Sequence, residues 1–279
     1  MPTTSRKQHA MTTIHLPGLV DPHDLSSDRQ FSMNLARGME VLRAFTAATP
    51  VLGNREIADR TGLPKPTVSR LTYTLGLLGY LSRDPVSQKF RLGPGVLSLG
   101  QPLLASMQVR QIAKPIMEAL ARQTGCTVNL GVRDRGNVVY VDSVRADTAN
   151  QHLPDIGSSR PLLPAAIGRA LILAHPRQER TALLNYLKVQ DPELYGRFRA
   201  SWETDLKLFN DQGYCHSQGD WQKDIHAVAV PLRQPAGEAP LAMNCTLAAY
   251  RVHKNSLVRE VAPLLKDAAL QLEFAQGLR

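Results

Sequence analysis

The sequence predicts an α/β (α+β) chain in two parts, an N-terminal winged helix-turn-helix followed by a domain of antiparallel strands flanked by helices. Three observations predict it. Residues Asn54–Tyr80 fit two short helices joined by a glycine turn, the next stretch SRDPVSQKFRLG reads as a small basic hairpin, and from Cys126 onward the apolar period switches to two.

Residues 1–30 mix Thr, Ser, His, Asp and Pro without periodicity and are expected to form a disordered or loosely attached tail. From Ser32, the stripe Leu35, Met39, Leu42, Phe45 predicts a helix packed beneath the helix-turn-helix, and Val51 and Leu52 a short strand. Asn54 is placed to cap the next helix, Gly62 to end it in a left-handed turn, and Leu63 to plug the core. Pro66 suits the first turn of the second helix, where a missing N–H costs nothing. There Val68, Leu71, Leu75 and Leu78 define an inward stripe. The opposite face carries Pro66, Ser69, Arg70 and Tyr73, with Lys65 and Thr67 at its N-terminal edge, donors and cations suited to phosphates and base edges. A helical hairpin alone leaves bundle packing equally open. The hairpin that follows, turning at Asp84-Pro85 with Phe90 and Leu92 inward and Lys89 and Arg91 outward, makes it a winged helix whose wing grips the DNA backbone. Arg37 and Arg43 suit either backbone contact or a solvated helix face.

After Gly93-Pro94-Gly95, two apolar helices, the second carrying Ile112, Ile116, Met117 and Leu120, sit where an interdomain linker would. Burial within the chain and cover by a partner subunit explain their apolar excess equally well. TVNLGV and NVVYVDSV alternate around Asp134-Arg135-Gly136-Asn137 as a hairpin. PAAIGRALILA is a buried helix ending at His175-Pro176, Ser201 is placed to cap a helix that stops at Gly213, and HAVAVPL and PLAMNCTL form a second hairpin. A final amphipathic helix opens at Ser256.

The chain has 279 residues and a net charge of +9, which favours a polyanionic partner or an anionic ligand. Residues 1–92 hold twelve Lys or Arg against seven Asp or Glu, the denser share of that charge. Cys126, Cys215 and Cys245 are odd in number with no C-x-x-C pair, which argues against a disulfide framework or structural zinc. No apolar run reaches a membrane span and no signal-peptide core is present, so a cytoplasmic location is expected and no membrane.

The segments SMNLARGMEVLRAF, EIADRTGLPKPTVSRLTYTLGLLGYL, FRLGPGVLSLG, IGRALILA, DQGY and AVAVPLR, in this order, resemble the isocitrate-lyase-regulator (IclR) family of bacterial transcriptional regulators from about Ser32 to the end. The resemblance implies a winged-helix domain, a dimerising linker helix and a GAF-like domain that binds a small organic effector. Members act as dimers or pairs of dimers on operators near catabolic genes. The expected division is a tail at 1–30, a DNA-binding domain at 31–93, linker helices at 94–124 and an effector domain at 125–279. Expected partners are a double-stranded DNA operator, a small organic acid and further copies of the chain as a homodimer or tetramer. Lys65, Thr67, Ser69 and Arg70 match the start of the family's reading helix, with Arg70 the best candidate for base readout.

The family's effector loop, of the type His-Ala-Thr-Ala-Leu-Gly-Lys-Ala, corresponds to Leu163–Ala170, without its histidine and hydroxyl. Its acidic position corresponds to Ser217, its small or thiol position to Ala227, and two polar strand positions to Asn244 and Thr246. The implied pocket is lined by Leu163, Ala166, Ile167, Ser217, Ala227, Asn244 and Thr246. Lacking an acid at Ser217, it suits a carboxylate-bearing, aromatic metabolite held by Asn244, Thr246 and backbone N–H groups. Asp220, Trp221 and His226 lie in the loop leading to Ala227.

The competing class is a small-molecule hydrolase or metal-dependent enzyme fused to a DNA-binding domain. Against it, the chain has no G-x-S-x-G, no P-loop and no G-x-G-x-x-G, since Gly93 and Gly95 are followed by a glycine only at Gly100. No cofactor is expected. His216, Asp220 and His226 match no common metal spacing.

Overall fold

The computed structural model describes residues 16–20, 22–25, 27–145, 156–252 and 256–279. The chain divides into two compact units, residues 21–114 and residues 115–279 joined by 16–20, with the division inside one helix. Among the described residues no helix is long and apolar enough to cross a membrane.

The smaller unit packs α1 (Met33–Arg43), α2 (Asn54–Thr61) and α3 (Lys65–Leu77) around Val41, Phe45, Leu52, Ile57, Val68, Leu75 and Phe90. On α1 the buried residues are Gly38 and Val41, while Leu35 is 66% exposed and Met39 also faces out. The expected stripe is therefore turned, with Gly38 facing Leu71 of α3. Asn54 is not the cap of α2. Gly53 holds that position, the Glu56 carboxylate accepts its N–H at 2.6 Å, and the Asn54 side chain instead accepts from the Thr72 hydroxyl at 3.1 Å. Gly62 ends α2 at φ +69°, a left-handed conformation that costs a side-chain-bearing residue energy. Thr72, buried between Val68 and Leu75, replaces Leu78 on the inward stripe; α3 ends at Leu77, so Leu78 is 62% exposed. Leu63 is only half-buried.

The wing is β1 (Leu81–Arg83) paired with β2 (Phe90–Leu92). Phe90 is buried, but Leu92 is exposed on this chain, and the expected strand at Val51-Leu52 shrinks to one bridge from Leu52 to Phe90. Helix α4 (Pro94–Ser106) follows with no buried residue at all, leaving Leu97, Leu99 and Leu103 exposed.

Helix α5 (Gln108–Thr124) leads into the larger unit, where Ala113, Met117, Leu120 and Ala121 are buried on one side of it. The sheet is fully antiparallel, β5-β4-β3-β8-β7-β6, built from β3 (Thr127–Asp134), β4 (Asn137–Val144), β5 (Ser159–Pro161), β6 (Cys215–Gln218), β7 (Ile225–Leu232) and β8 (Leu241–Ala248). Its two faces differ in size. Gly131, Ala227, Ala229 and Ala242 leave room on one face for the buried helix α6 (Ala166–Ala174); Val228, Val230, Met243 and Leu241 alternate onto the other, and α9 (Ala262–Ala275), reached through a π-helical turn at Leu257–Val261, packs on the same two strands.

Three features were absent from the sequence reading. Strands β5 and β6 are too short to show alternation. Helix α7 (Arg177–Gln190) precedes α8 (Pro192–Gln212), which starts at Asp191, whose carboxylate caps Leu194 N–H at 2.8 Å; Ser201 lies inside the helix, not at its cap. The tail is not loose where it is described, since Leu16 is buried in the core beside α6 and Arg133 donates to the Pro17 carbonyl at 3.0 Å. The expectation for residues 1–15 lies outside the described residues. The three thiols are buried and free, and Cys126 Sγ donates to the Thr124 carbonyl at 3.8 Å.

At Gly168 a Cβ would stand 2.1 Å from the Leu162 carbonyl oxygen, so the loop entering α6 lies on bare helix backbone. Gly168→Ala should lower unfolding free energy by about 1–3 kcal/mol or more, the range of core overpacking, read as a shifted urea midpoint of the larger unit.

Candidate functional sites: a reading helix and a cavity

Helix α3 starts after Pro64 with no side-chain cap and no acid in its first turn, so its N-terminal partial positive charge is uncompensated. Lys65, Pro66, Ser69, Arg70 and Tyr73 are exposed and Thr67 is half-buried. At about 100° per residue, Pro66, Arg70 and Tyr73 stand opposite Val68, Thr72 and Leu75, and exposed Leu77 shares that face. Each of the outward-facing wing cations has a carboxylate beside it. Lys89 Nζ lies 3.0 Å from Glu56 and Arg91 Nη2 lies 3.1 Å from Asp84, so the first ties the wing to α2 and the second closes the wing's own turn. Bonds from Gly53 N–H and then Lys89 hold the Glu56 carboxyl below its ordinary range.

In the larger unit, cross-strand register assembles a second site. Thr246, Ala227 and Ser217 are direct neighbours across β8, β7 and β6, and Asn244 lies two residues from Thr246 on the same face. With Ala166 and Ile167 at the start of α6, these residues line a cavity of about 60 Å³. Six of the seven residues expected to form one pocket thus meet around one cavity. Leu163 does not: its side chain is buried in the core, and its carbonyl accepts from Arg169 at 2.8 Å.

The remaining walls are Tyr140, Arg160, Ala165, Trp221, Gln222 and Ile225. Tyr140 and Arg160 were missed for a geometric reason. A bulge in β4 leaves Val141 without a partner, because Leu130 pairs with Asp142 but Gly131 with Tyr140. It brings Tyr140 and Ser143 onto the same face despite their odd spacing. Ser143 donates to Asn129 at 2.7 Å, and Asn129 donates to the Asn244 side-chain oxygen at 2.9 Å. The Thr246 hydroxyl points to the Thr127 carbonyl at 3.4 Å. Arg160 lies opposite Val138 on edge strand β5; burial pushes the Tyr140 pKa up to about 12, and the nearby Arg160 charge opposes that rise. His226 does not line the cavity.

Beneath the cavity, Arg169 of α6 is fully buried. Its guanidinium bonds the Asp205 carboxylate, the Leu163 and His216 carbonyls at 2.8 Å, and Asp220 at 2.9 Å. Asp205 also accepts from His216 N–H at 3.0 Å; burial pushes its carboxyl up and Arg169 pulls it back. Asp220 adjoins Trp221, so the cavity's loop is fastened through Arg169 to α8 and β6. Among the described residues no three His, Cys, Asp or Glu side chains cluster as a metal site.

Family models match both units: residues 34–85 match the IclR helix-turn-helix domain and residues 101–274 the bacterial transcriptional regulator IclR C-terminal domain. The HTH-type transcriptional regulator TsaQ1/TsaQ2 of Comamonas testosteroni is 32% identical over 86% of this chain and 87% of its own. The p-hydroxybenzoate hydroxylase transcriptional activator of Acinetobacter baylyi is 28% identical over 92% of this chain and 97% of its own. A crystal structure of an IclR family transcriptional regulator from Brucella abortus superposes with TM-score 0.83 at 40% identity, covering 89% of this chain and 94% of that one.

Arg169→Met should leave Asp205 buried without its cation and cost about 3–5 kcal/mol, the usual penalty for breaking a buried pair. Differential scanning calorimetry checks this, with a double variant Arg169→Met, Asp205→Leu expected to recover part of the loss.

Proposed function

We propose, from the fact that this chain belongs to the IclR family of bacterial transcriptional regulators, that it is a switch controlling catabolic genes in response to a small aromatic carboxylic acid. The observation that carries the DNA-reading half is the exposed face of α3 beside an uncapped helix start. Arg70 reads a base edge, Lys65, Thr67 and Ser69 hold phosphates, and Tyr73 touches sugar or phosphate a turn further on. Lys89 and Arg91 contact the backbone by exchanging exposed carboxylate partners for phosphates, an exchange favoured because surface ion pairs are weak.

The effector half rests on the cavity beside α6, with Ala166, Ile167, Ser217, Ala227, Asn244 and Thr246 as its walls. The Acinetobacter baylyi relative, an activator for p-hydroxybenzoate hydroxylase, supports an aromatic acid. The proposed protein acts in the cytoplasm, without catalysis, as a homodimer or a pair of dimers. Residues 31–93 serve as the reading domain, 94–124 as the linker and 125–279 as the effector domain. The apolar helix α4, with none of its residues buried, supplies the subunit contact.

Arg70→Ala should weaken binding to the operator at least tenfold while non-specific binding changes little, as each bidentate base contact is worth about 1–3 kcal/mol. A gel shift at fixed salt, with operator and scrambled duplexes, measures this; unchanged discrimination would remove Arg70 from base readout. Leu99→Glu should shift the chain towards monomer in sedimentation velocity, and an unaltered oligomer would exclude α4 from the subunit contact.

A further inference from the structure

The sequence reading gives the effector's carboxylate to Asn244, Thr246 and backbone N–H groups. The structure gives the Asn244 oxygen and the Thr246 hydroxyl partners of their own and leaves the Asn244 Nδ2 as a neutral donor. The Asn244 oxygen is held by Asn129, itself held by Ser143, and the Thr246 hydroxyl leans on the Thr127 carbonyl. Both are neutral. Among the residues that line the cavity there is one cation, Arg160, and no carboxylate. Asp220, next in sequence to the lining residue Trp221, is bound to Arg169.

We propose that Arg160, supported by the Tyr140 phenol, is the group that binds the effector's carboxylate and selects acids over their neutral counterparts. This rests on the reading of the cavity as an effector pocket and names its charge-reading residue. Three features carry it. Arg160 is half-buried, so its charge is less screened than on an open surface. Its pairing with Val138 puts it on the α6 side of the sheet, where it lines the cavity with Tyr140. The N–H groups of its planar guanidinium suit a carboxylate in bidentate geometry. Tyr140 stays protonated at neutral pH, so its O–H is a second donor.

The strand order separates this end of the pocket, on β4 and β5, from Ser217, Ala227 and Thr246 on β6, β7 and β8. A ligand anchored at Arg160 therefore presents its far end to hydroxyls. That is the chemistry of an aromatic acid with a distal hydroxyl.

The test is calorimetric titration of the full-length protein with benzoate, 4-hydroxybenzoate and the matching amides, using wild type, Arg160→Gln and Arg160→Lys. Wild type should bind the acids more tightly than the amides. Arg160→Gln should weaken the acids about ten- to a hundredfold, the size of a lost charge-assisted bond, and leave amide affinity unchanged. Arg160→Lys should fall between them. Circular dichroism spectra of both variants should match wild type, which separates loss of the anchor from loss of the fold. If Arg160→Gln binds the acids as wild type does, Arg160 is not the anchor although the pocket stands. If wild type prefers the amides or binds neither set, the acid reading falls and takes the anchor with it.

Discussion

A single buried guanidinium organises the larger unit. Removing an arginine from water is costly, and the cost is offset only when its N–H groups meet acceptors in good geometry. Arg169 meets that condition with two carboxylates and the carbonyls of Leu163 and His216. Those partners come from the loop entering α6, from α8, from β6 and from the loop before β7. The start of α6 is thereby tied at one point to groups 36 to 51 residues further along the chain, on α8, on β6 and in the loop that follows β6. Gly168, next in the chain, is bare because the Leu162 backbone must approach for the Leu163 carbonyl to reach Arg169.

The second constraint is the asymmetry of the sheet. Small residues at 131, 227, 229 and 242 admit α6, and polar residues at 129, 244 and 246 share that face. Large apolar residues alternate onto the other side, where α9 packs on β7 and β8. Alternation along β7 and β8 was legible because both strands are eight residues long and flank an obvious turn. It puts Asn244 and Thr246 on one face, while Ala227 joins them only through the family resemblance. What alternation does not carry is a bulge. Val141 shifts the parity of β4, so Tyr140 and Ser143 join a face that strict counting assigns to only one of them. Arg160 sits on a three-residue edge strand, too short to announce itself.

In the smaller unit the glycine and proline punctuation was read correctly, since Gly62 and Pro66 answer to backbone sterics that are local to the chain. The stripes were read less well. Leu35, Met39 and Leu78 fit a helical period but are exposed, while Thr72 is buried, because a threonine hydroxyl satisfied by the Asn54 side chain and the Val68 carbonyl is no longer a polar burden. Hydrophobic periodicity alone does not register such a satisfied hydroxyl. The wing shows the same limit for charge: outward direction was evident for Lys89 and Arg91, but not that Glu56 and Asp84 stand beside them.

The size of the cavity bears on how such a pocket works. About 60 Å³ is well below the roughly 300–1,000 Å³ of a typical small-molecule pocket. On the proposed reading a ring therefore enters only if a wall moves. Strands β6, β7 and β8 are laddered together and α6 is buried along its length, so neither yields without losing backbone pairing or core contact. The segment carrying Trp221 and Gln222 has no such ladder, and its ties include the Asp220 contact with Arg169 and the Gln222 carbonyl bond to Ile225 N–H. The softest wall is thus fastened to the most demanding buried charge, and whatever displaces Trp221 acts on Arg169.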